Sequence, residues 1–250
     1  MQARFPHHPV SALDPGATIP AMKRALLLFL LIPFLAAQRA TEVEITSEPP
    51  HHLALENEFI RVFQVEVAPH ASTLMHRHRH DYVFVTLGDA HVSNEVEGKP
   101  PVDLKLTDGE THFVPGNFAH VAKNLSDQPF RNVTIELMQD ERLRQTPSHW
   151  PEENGEKTFP GGRIKILFVK DGVRASEVNL ESGAIVPSHH HDGPHLLVAV
   201  TDLDIRSDVE GRGSMPGKFK SGDIKWLPGG YTHTLTNVGK SPARFVTVEF

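Results

Sequence analysis

Two His-x-His pairs, each answered downstream by a Pro-x-x-x-x-His, recur along this chain at one constant spacing. The first copy reads His76-Arg77-His78, then Pro115-Gly116-Asn117-Phe118-Ala119-His120. The second reads His189-His190-His191, then Pro228-Gly229-Gly230-Tyr231-Thr232-His233. One offset, 113, carries 76 to 189, 78 to 191, 115 to 228 and 120 to 233. It also matches Glu95-Val96-Glu97-Gly98 with Asp208-Val209-Glu210-Gly211, Gly109 with Gly222, and Asn124 with Asn237. It ends by pairing the run Val133 to Leu137 with Val246 to Phe250. A gapless repeat of this extent describes a duplicated domain with a candidate metal site in each half. The 250 residues then divide into two units of about 100 residues each.

Both units read as β structure. Phe63, Val65 and Val67 alternate with Gln64 and Glu66, the pattern of a half-buried strand. Tyr82 to Leu87 and Leu196 to Val200 are short apolar runs that suit inner strands. Turn signals separate them: Gly88-Asp89, Asp108-Gly109, Asp171-Gly172 and Ser221-Gly222-Asp223. No long amphipathic helix stands out, although a short helical turn is open near 138 to 145. Many short strands at close spacing mean an all-β sandwich or barrel. The segment 41 to 57, with Pro49-Pro50, reads as irregular.

Met22-Lys23-Arg24 precedes an apolar run of about a dozen residues that ends in Ala36-Ala37. This pattern predicts a secretory signal peptide over 22–37, with 1–21 an extension upstream of the true start at Met22. Loss of 1–37 would leave 22 basic and 30 acidic residues, a net charge of −8. The expected mature protein is exported, periplasmic or secreted, with no stable membrane anchor after cleavage. Neither the net charge of −6 nor any Lys/Arg run suggests a nucleic-acid partner. Absence of cysteine excludes disulfides, thiolate ligands and a Cys nucleophile.

On a strand, residues two apart share a face, so His189 and His191 point their imidazoles at one place. A third histidine across a small barrel, His233, can close the site. Neutral imidazole suits Zn, Fe, Mn, Ni and Cu. His190 has the opposite parity and should face away.

The second half resembles the cupin pattern at Gly183, His189, His191, Gly222, Pro228, Gly230, His233 and Asn237. The first half resembles it at His76, His78, Gly109, Pro115, His120 and Asn124. The resemblance implies an all-β bicupin, two tandem jelly-roll barrels over 51–140 and 160–250 joined by a linker at 141–159. In that family two His of the first motif, its Glu and the His of the second motif hold one divalent metal. Here the Glu position holds His195 in the second half and Tyr82 in the first. His195 can complete a four-His site, or it can be a plain strand residue after Gly193-Pro194. Tyr82 can ligate as a phenolate or line the pocket beside a three-His site of His76, His78 and His120. His80 shares their face and is an alternative ligand.

Three functions stay open at this stage. One is a metal-dependent enzyme of oxygenase or isomerase type acting on a small anionic molecule. A second is a non-catalytic bicupin in which a divalent metal holds a small ligand or supports the barrel. The third is a structural β protein with surface histidines. Loss of both Glu residues argues against cupins that need that Glu, such as the oxalate-degrading ones. A small-molecule ligand is the expected partner, and self-association is open.

Overall fold

The structure, a computed structural model, describes residues 41–139 and 155–250. Apart from one 3-10 turn (Ile45–Ser47), every regular element in them is a strand, and no helix among them could cross a membrane. The expected signal segment, the upstream extension, most of the linker and the helical turn near 138 to 145 lie outside the described residues.

The first unit contains β1 (Val43–Glu44), β2 (His51–Glu56), β3 (Ile60–Val67), β4 (His76–His78) and β5 (Tyr82–Leu87). It continues with β6 (Ala90–Val96), β7 (Val102–Leu106), β8 (Thr111–Val114), β9 (Phe118–Asn124) and β10 (Phe130–Leu137). These form two five-stranded sheets, β1-β4-β9-β6-β7 and β2-β3-β10-β5-β8. The second unit runs β11 (Glu156–Phe159), β12 (Gly162–Lys170), β13 (Val173–Leu180), β14 (Ile185–His191) and β15 (His195–Ala199). It ends with β16 (Leu203–Val209), β17 (Gly213–Phe219), β18 (Ile224–Leu227), β19 (Tyr231–Asn237) and β20 (Ala243–Glu249). Its sheets are β11-β12-β13-β20-β15-β18 and β14-β19-β16-β17. Both are jelly-roll arrangements, and most equivalent strands begin or end at the 113-residue offset.

Two boundaries differ from the sequence reading. The segment 41–57 is not irregular: it supplies β1, the 3-10 turn and β2. Its pattern hides a strand because β2 carries a register shift between Leu53 and Leu55, which breaks the alternation. The second unit likewise starts at Glu156, inside the expected linker, because β11 pairs with β12.

Period-two alternation divides each inner strand between two duties. In β5 and β10, Val83, Val85, Val133 and Ile135 face away from their own barrel. They join Leu196, Val198, Val246 and Val248 of the second barrel in one buried cluster. The apolar runs at 82–87 and 196–200 are therefore buried on both faces. One face is the barrel interior and the other is the seam between barrels. Polar contacts at the seam obey the same duplication. Arg131 donates to the Ser221 carbonyl at 3.2 Å, and its equivalent Arg244 pairs with Asp108, the equivalent of Ser221. The two halves thus meet about a pseudo-two-fold axis, as an isologous dimer would.

Turns with special backbone hold the histidine strands in place. Asn117 has φ 64 where Gly230 has φ 75, and His70 has φ 58 where Gly183 has φ 77. Asn tolerates the left-handed region, which explains its replacement of a turn glycine. The Asn117 amide donates to the His78 carbonyl at 2.6 Å, and the Gly230 amide to the His191 carbonyl at 2.7 Å. The Pro-Gly turn is thereby fixed to the end of the His-x-His strand.

Candidate metal centres

Antiparallel pairing brings the first His of each pair opposite the downstream His. His76 is in register with His120, and His189 with His233. In the second barrel, His189, His191 and His233 each offer a ligand atom within 4.8 Å of the others. The Nε2 of His233 lies 3.0 Å from that of His189 and 3.2 Å from that of His191. The outer nitrogens are taken. His189 Nδ1 donates to the Pro187 carbonyl at 2.8 Å, His191 Nδ1 to Glu249 Oε1 at 2.9 Å, and His233 Nδ1 contacts Ser207 Oγ at 2.7 Å. In their neutral forms His189 and His191 then aim lone pairs at one point, an arrangement a cation relieves.

The first barrel repeats this frame. His76 Nδ1 donates to the Leu74 carbonyl at 2.9 Å and His120 Nδ1 to Asn94 Oδ1 at 2.6 Å. Leu74 and Pro187, like Asn94 and Ser207, are equivalent positions. The Nε2 atoms of His76 and His120 are buried and have no hydrogen-bond partner. Buried imidazole nitrogens without partners are costly unless a metal takes them. The C-terminal triad therefore fits a divalent metal, and so does a histidine cluster around His76 and His78 in the first barrel; the identity of the ion is not fixed by imidazole alone.

A carboxylate and an arginine stand behind the second His of each pair. Glu249 accepts from His191 and is paired with Arg174. In the first barrel Glu136 lies 3.7 Å from His78 Nδ1 and 3.5 Å from Arg61. Glu136 and Glu249 share the repeat register, as do Arg61 and Arg174. Their surroundings shift the two carboxyls in opposite directions. Burial raises Glu136, whereas at Glu249 the His191 hydrogen bond and the Arg174 charge outweigh burial and hold the carboxyl low.

The position expected to replace the family's Glu lies beside each triad. His195 stacks on His191 at 4.0 Å and 16°, and its Nε2 is 3.3 Å from the Tyr231 hydroxyl. Tyr82 stacks on His78 at 4.1 Å and 20°, and burial pushes its hydroxyl pKa up. Tyr231 corresponds to Phe118, so the second barrel has a His–Tyr hydrogen-bonded pair where the first has Tyr and Phe. His80 falls in the bend after β4, outside the strand that carries His76 and His78. His190 is exposed and bonds Thr232 instead.

The structure adds a histidine that the motif does not contain. His51, at the start of β2, lies with its ring 4.7 Å from that of His76. One ligand atom each from His51, His76 and His78 falls within 4.8 Å of the others. Its equivalent in the second barrel is Ile164.

The cavities differ. The second barrel encloses about 350 Å³ beside its triad, lined also by Arg212, Lys225 and Tyr231. In the first barrel the corresponding space is about 80 Å³.

No family model matches the chain, and no curated protein sequence matches it. Solved structures do. One is the oxalate decarboxylase of Bacillus subtilis, studied for its Mn(II) centres. It is 15% identical with a TM-score of 0.57, over 80% of this chain and 75% of that one. The same enzyme solved at pH 4.6 matches at 14% identity and TM-score 0.57, over 77% of this chain and 68% of the other. At that identity the likeness shows the fold alone: two tandem jelly-roll barrels in one polypeptide, the arrangement the resemblance to the cupin pattern implied.

Proposed function

We propose that this chain is an exported metal-dependent enzyme acting on a small anionic molecule, with its reaction centre in the C-terminal barrel. The observation that carries the reading is the asymmetry of the two cavities. Only the C-terminal triad opens onto a space of about 350 Å³, within the range of small-molecule sites. Arg212 and Lys225 line it and supply positive charge for an anion. A likeness in fold to oxalate decarboxylase, which acts on a small dicarboxylate, supports the same substrate class.

A divalent metal held by His189, His191 and His233 would supply Lewis acidity, and with iron, manganese, nickel or copper also redox chemistry. The chain's own residues do the rest. Glu249 and Arg174 fix the ring of His191. His195 and Tyr231 form a pair that can hold or pass a proton at Nε2 or at the phenol oxygen. Burial keeps His195 neutral, with its pKa lowered to about 4, so its nitrogen is available as an acceptor. With His195 at the usual Glu position, a reaction requiring that Glu is disfavoured, and enolisation, isomerisation or oxidative cleavage is preferred. Export rests on the segment 22–37.

The test loads the purified mature protein with each of five divalent metals and follows oxygen uptake and product formation over a panel of small carboxylates and enolisable acids. Turnover with at least one metal, lost in His189→Ala/His191→Ala, is expected. Anion binding to the metal-loaded protein without turnover would assign a non-catalytic binding protein instead.

A further inference from the structure

We propose that His51 is a fourth metal ligand in the N-terminal barrel, making a closed four-imidazole site of His51, His76, His78 and His120 whose metal ties the segment 42–51 to the barrel. The inference is independent of the C-terminal reaction centre proposed above. His51 lies outside the His-x-His and Pro-x-x-x-x-His motifs and comes from the opposite sheet, where it is in register with Val65.

Three observations support it. The first is position: ligand atoms of His51, His76 and His78 lie within 4.8 Å of one another, and His120 packs on His76 with ring centroids 4.5 Å apart. The second is orientation. His51 Nδ1 donates to Glu48 Oε2 at 2.5 Å, which leaves Nε2 as the atom it can offer. Glu48 is only 2% exposed, and its other oxygen accepts the Leu74 amide at 3.0 Å. The Leu74 carbonyl in turn accepts from His76 Nδ1. One hydrogen-bonded frame, Glu48 and the Leu74 peptide, therefore orients two of the imidazoles together. The third is demand: the Nε2 atoms of His76 and His120 are buried without partners, and the space beside them, about 80 Å³, suits an ion with a few waters rather than a substrate.

Closed four-coordinate nitrogen sites are the structural kind, and zinc or cobalt fits four neutral imidazoles. The segment that delivers His51 is already attached near the same strand. Val43 pairs with His76, and Glu42 and Glu44 form ion pairs with Arg77 and Arg79. A metal bound through His51 fastens the other end of that segment. In the second barrel Ile164 occupies this register and lines the larger cavity, so the open side of that site stays open.

The experiment uses the full mature chain carrying His189→Ala/His191→Ala, so that only the N-terminal site loads, and titrates it with Co(II) while recording the visible spectrum. One Co(II) per chain with an intense tetrahedral spectrum is expected. Adding His51→Ile, the residue the second barrel carries there, should weaken binding by at least the about 10- to 100-fold that loss of an orienting partner costs, and should change the spectrum. Glu48→Gln should weaken binding while keeping the tetrahedral spectrum. Unchanged affinity and spectrum in His51→Ile, or no Co(II) bound by the parent, overturns the proposal. If His51→Ile does not fold, the ¹⁵N resonances of the His51 ring in the parent decide during Zn(II) titration. A shift of Nε2 supports ligation, and an unmoved Nε2 overturns it.

Discussion

All but one of the motif imidazoles are hydrogen-bonded from behind, His78 being the exception, and the residues that stand behind them follow the same repeat. Leu74 and Pro187 offer carbonyls, Asn94 and Ser207 offer side-chain oxygens, and Glu136 and Glu249 stand behind His78 and His191. Replacing Glu249 by Gln removes the charge that orients His191, and C-terminal metal affinity should fall about 10- to 100-fold by isothermal titration. An unaltered affinity would remove Glu249 from the site. Burial also depresses the imidazoles themselves: His76 and His195 to about 4 and His233 to about 3, from 6.5. In the unfolded chain these groups take up protons near pH 6.5, while in the folded metal-free protein they do so only near 3 to 4. Between those values the unfolded state binds more protons, so folding stability falls as pH drops. The melting temperature of the metal-free protein should therefore decline from pH 6.5 towards 4 and be nearly flat above 7, and the decline should be at least as steep with metal bound, because a metal keeps the same imidazoles deprotonated. A flat apo profile would contradict this account. The motif histidines were legible because strand parity and the repeat both point to them. His51 was not, since its counterpart is Ile164 and only folding brings it from the opposite sheet to His76.

Among the elements, the Pro-Gly turns between β8 and β9 and between β18 and β19 set where the downstream histidines land. A Cβ on Gly229 would sit 2.4 Å from the Asp192 carbonyl oxygen, and one on Gly116 would sit 2.3 Å from that of His80. Both contacts are backbone to backbone, so neither can be relieved by a rotamer change. Gly229→Ala should cost about 1–3 kcal/mol in urea unfolding and shift His233 relative to His189, weakening metal binding too. A fully stable variant would show that the turn is free to move. The far ends of β9 and β19 are tied down as well. Asn124 donates to the carbonyls of Val67, Ala68 and Gln128, and Asn237 to those of Leu180, Glu181 and Ser241. Every one of these contacts keeps the 113-residue register, which is why the two motifs remained recognisable in the sequence. The strand β2 left no such trace, because its register shift erases the alternation by which strands are read.

At the scale of the whole molecule, the seam between barrels decides which sides of the strands are apolar. Val246 is fully buried among residues of both halves. Val246→Asp places a carboxylate without a partner in that seam and should cost about 3 kcal/mol or more. It should also lower the unfolding midpoint of the whole protein rather than of one half. Separate unfolding of the two barrels, with the N-terminal one unaffected, would show that they are not coupled. The sequence by itself determined the duplication and the strand parity of the motif histidines, because both are written as fixed spacings. The sequence already set the two halves apart at one position, His195 against Tyr82, but only the tertiary structure decided what surrounds each cluster. Cavity size, the fourth imidazole from β2 and the His195–Tyr231 pair depend on which side chains meet across a barrel wall. Such contacts join residues far apart in the chain at no fixed spacing, so no period in the sequence records them.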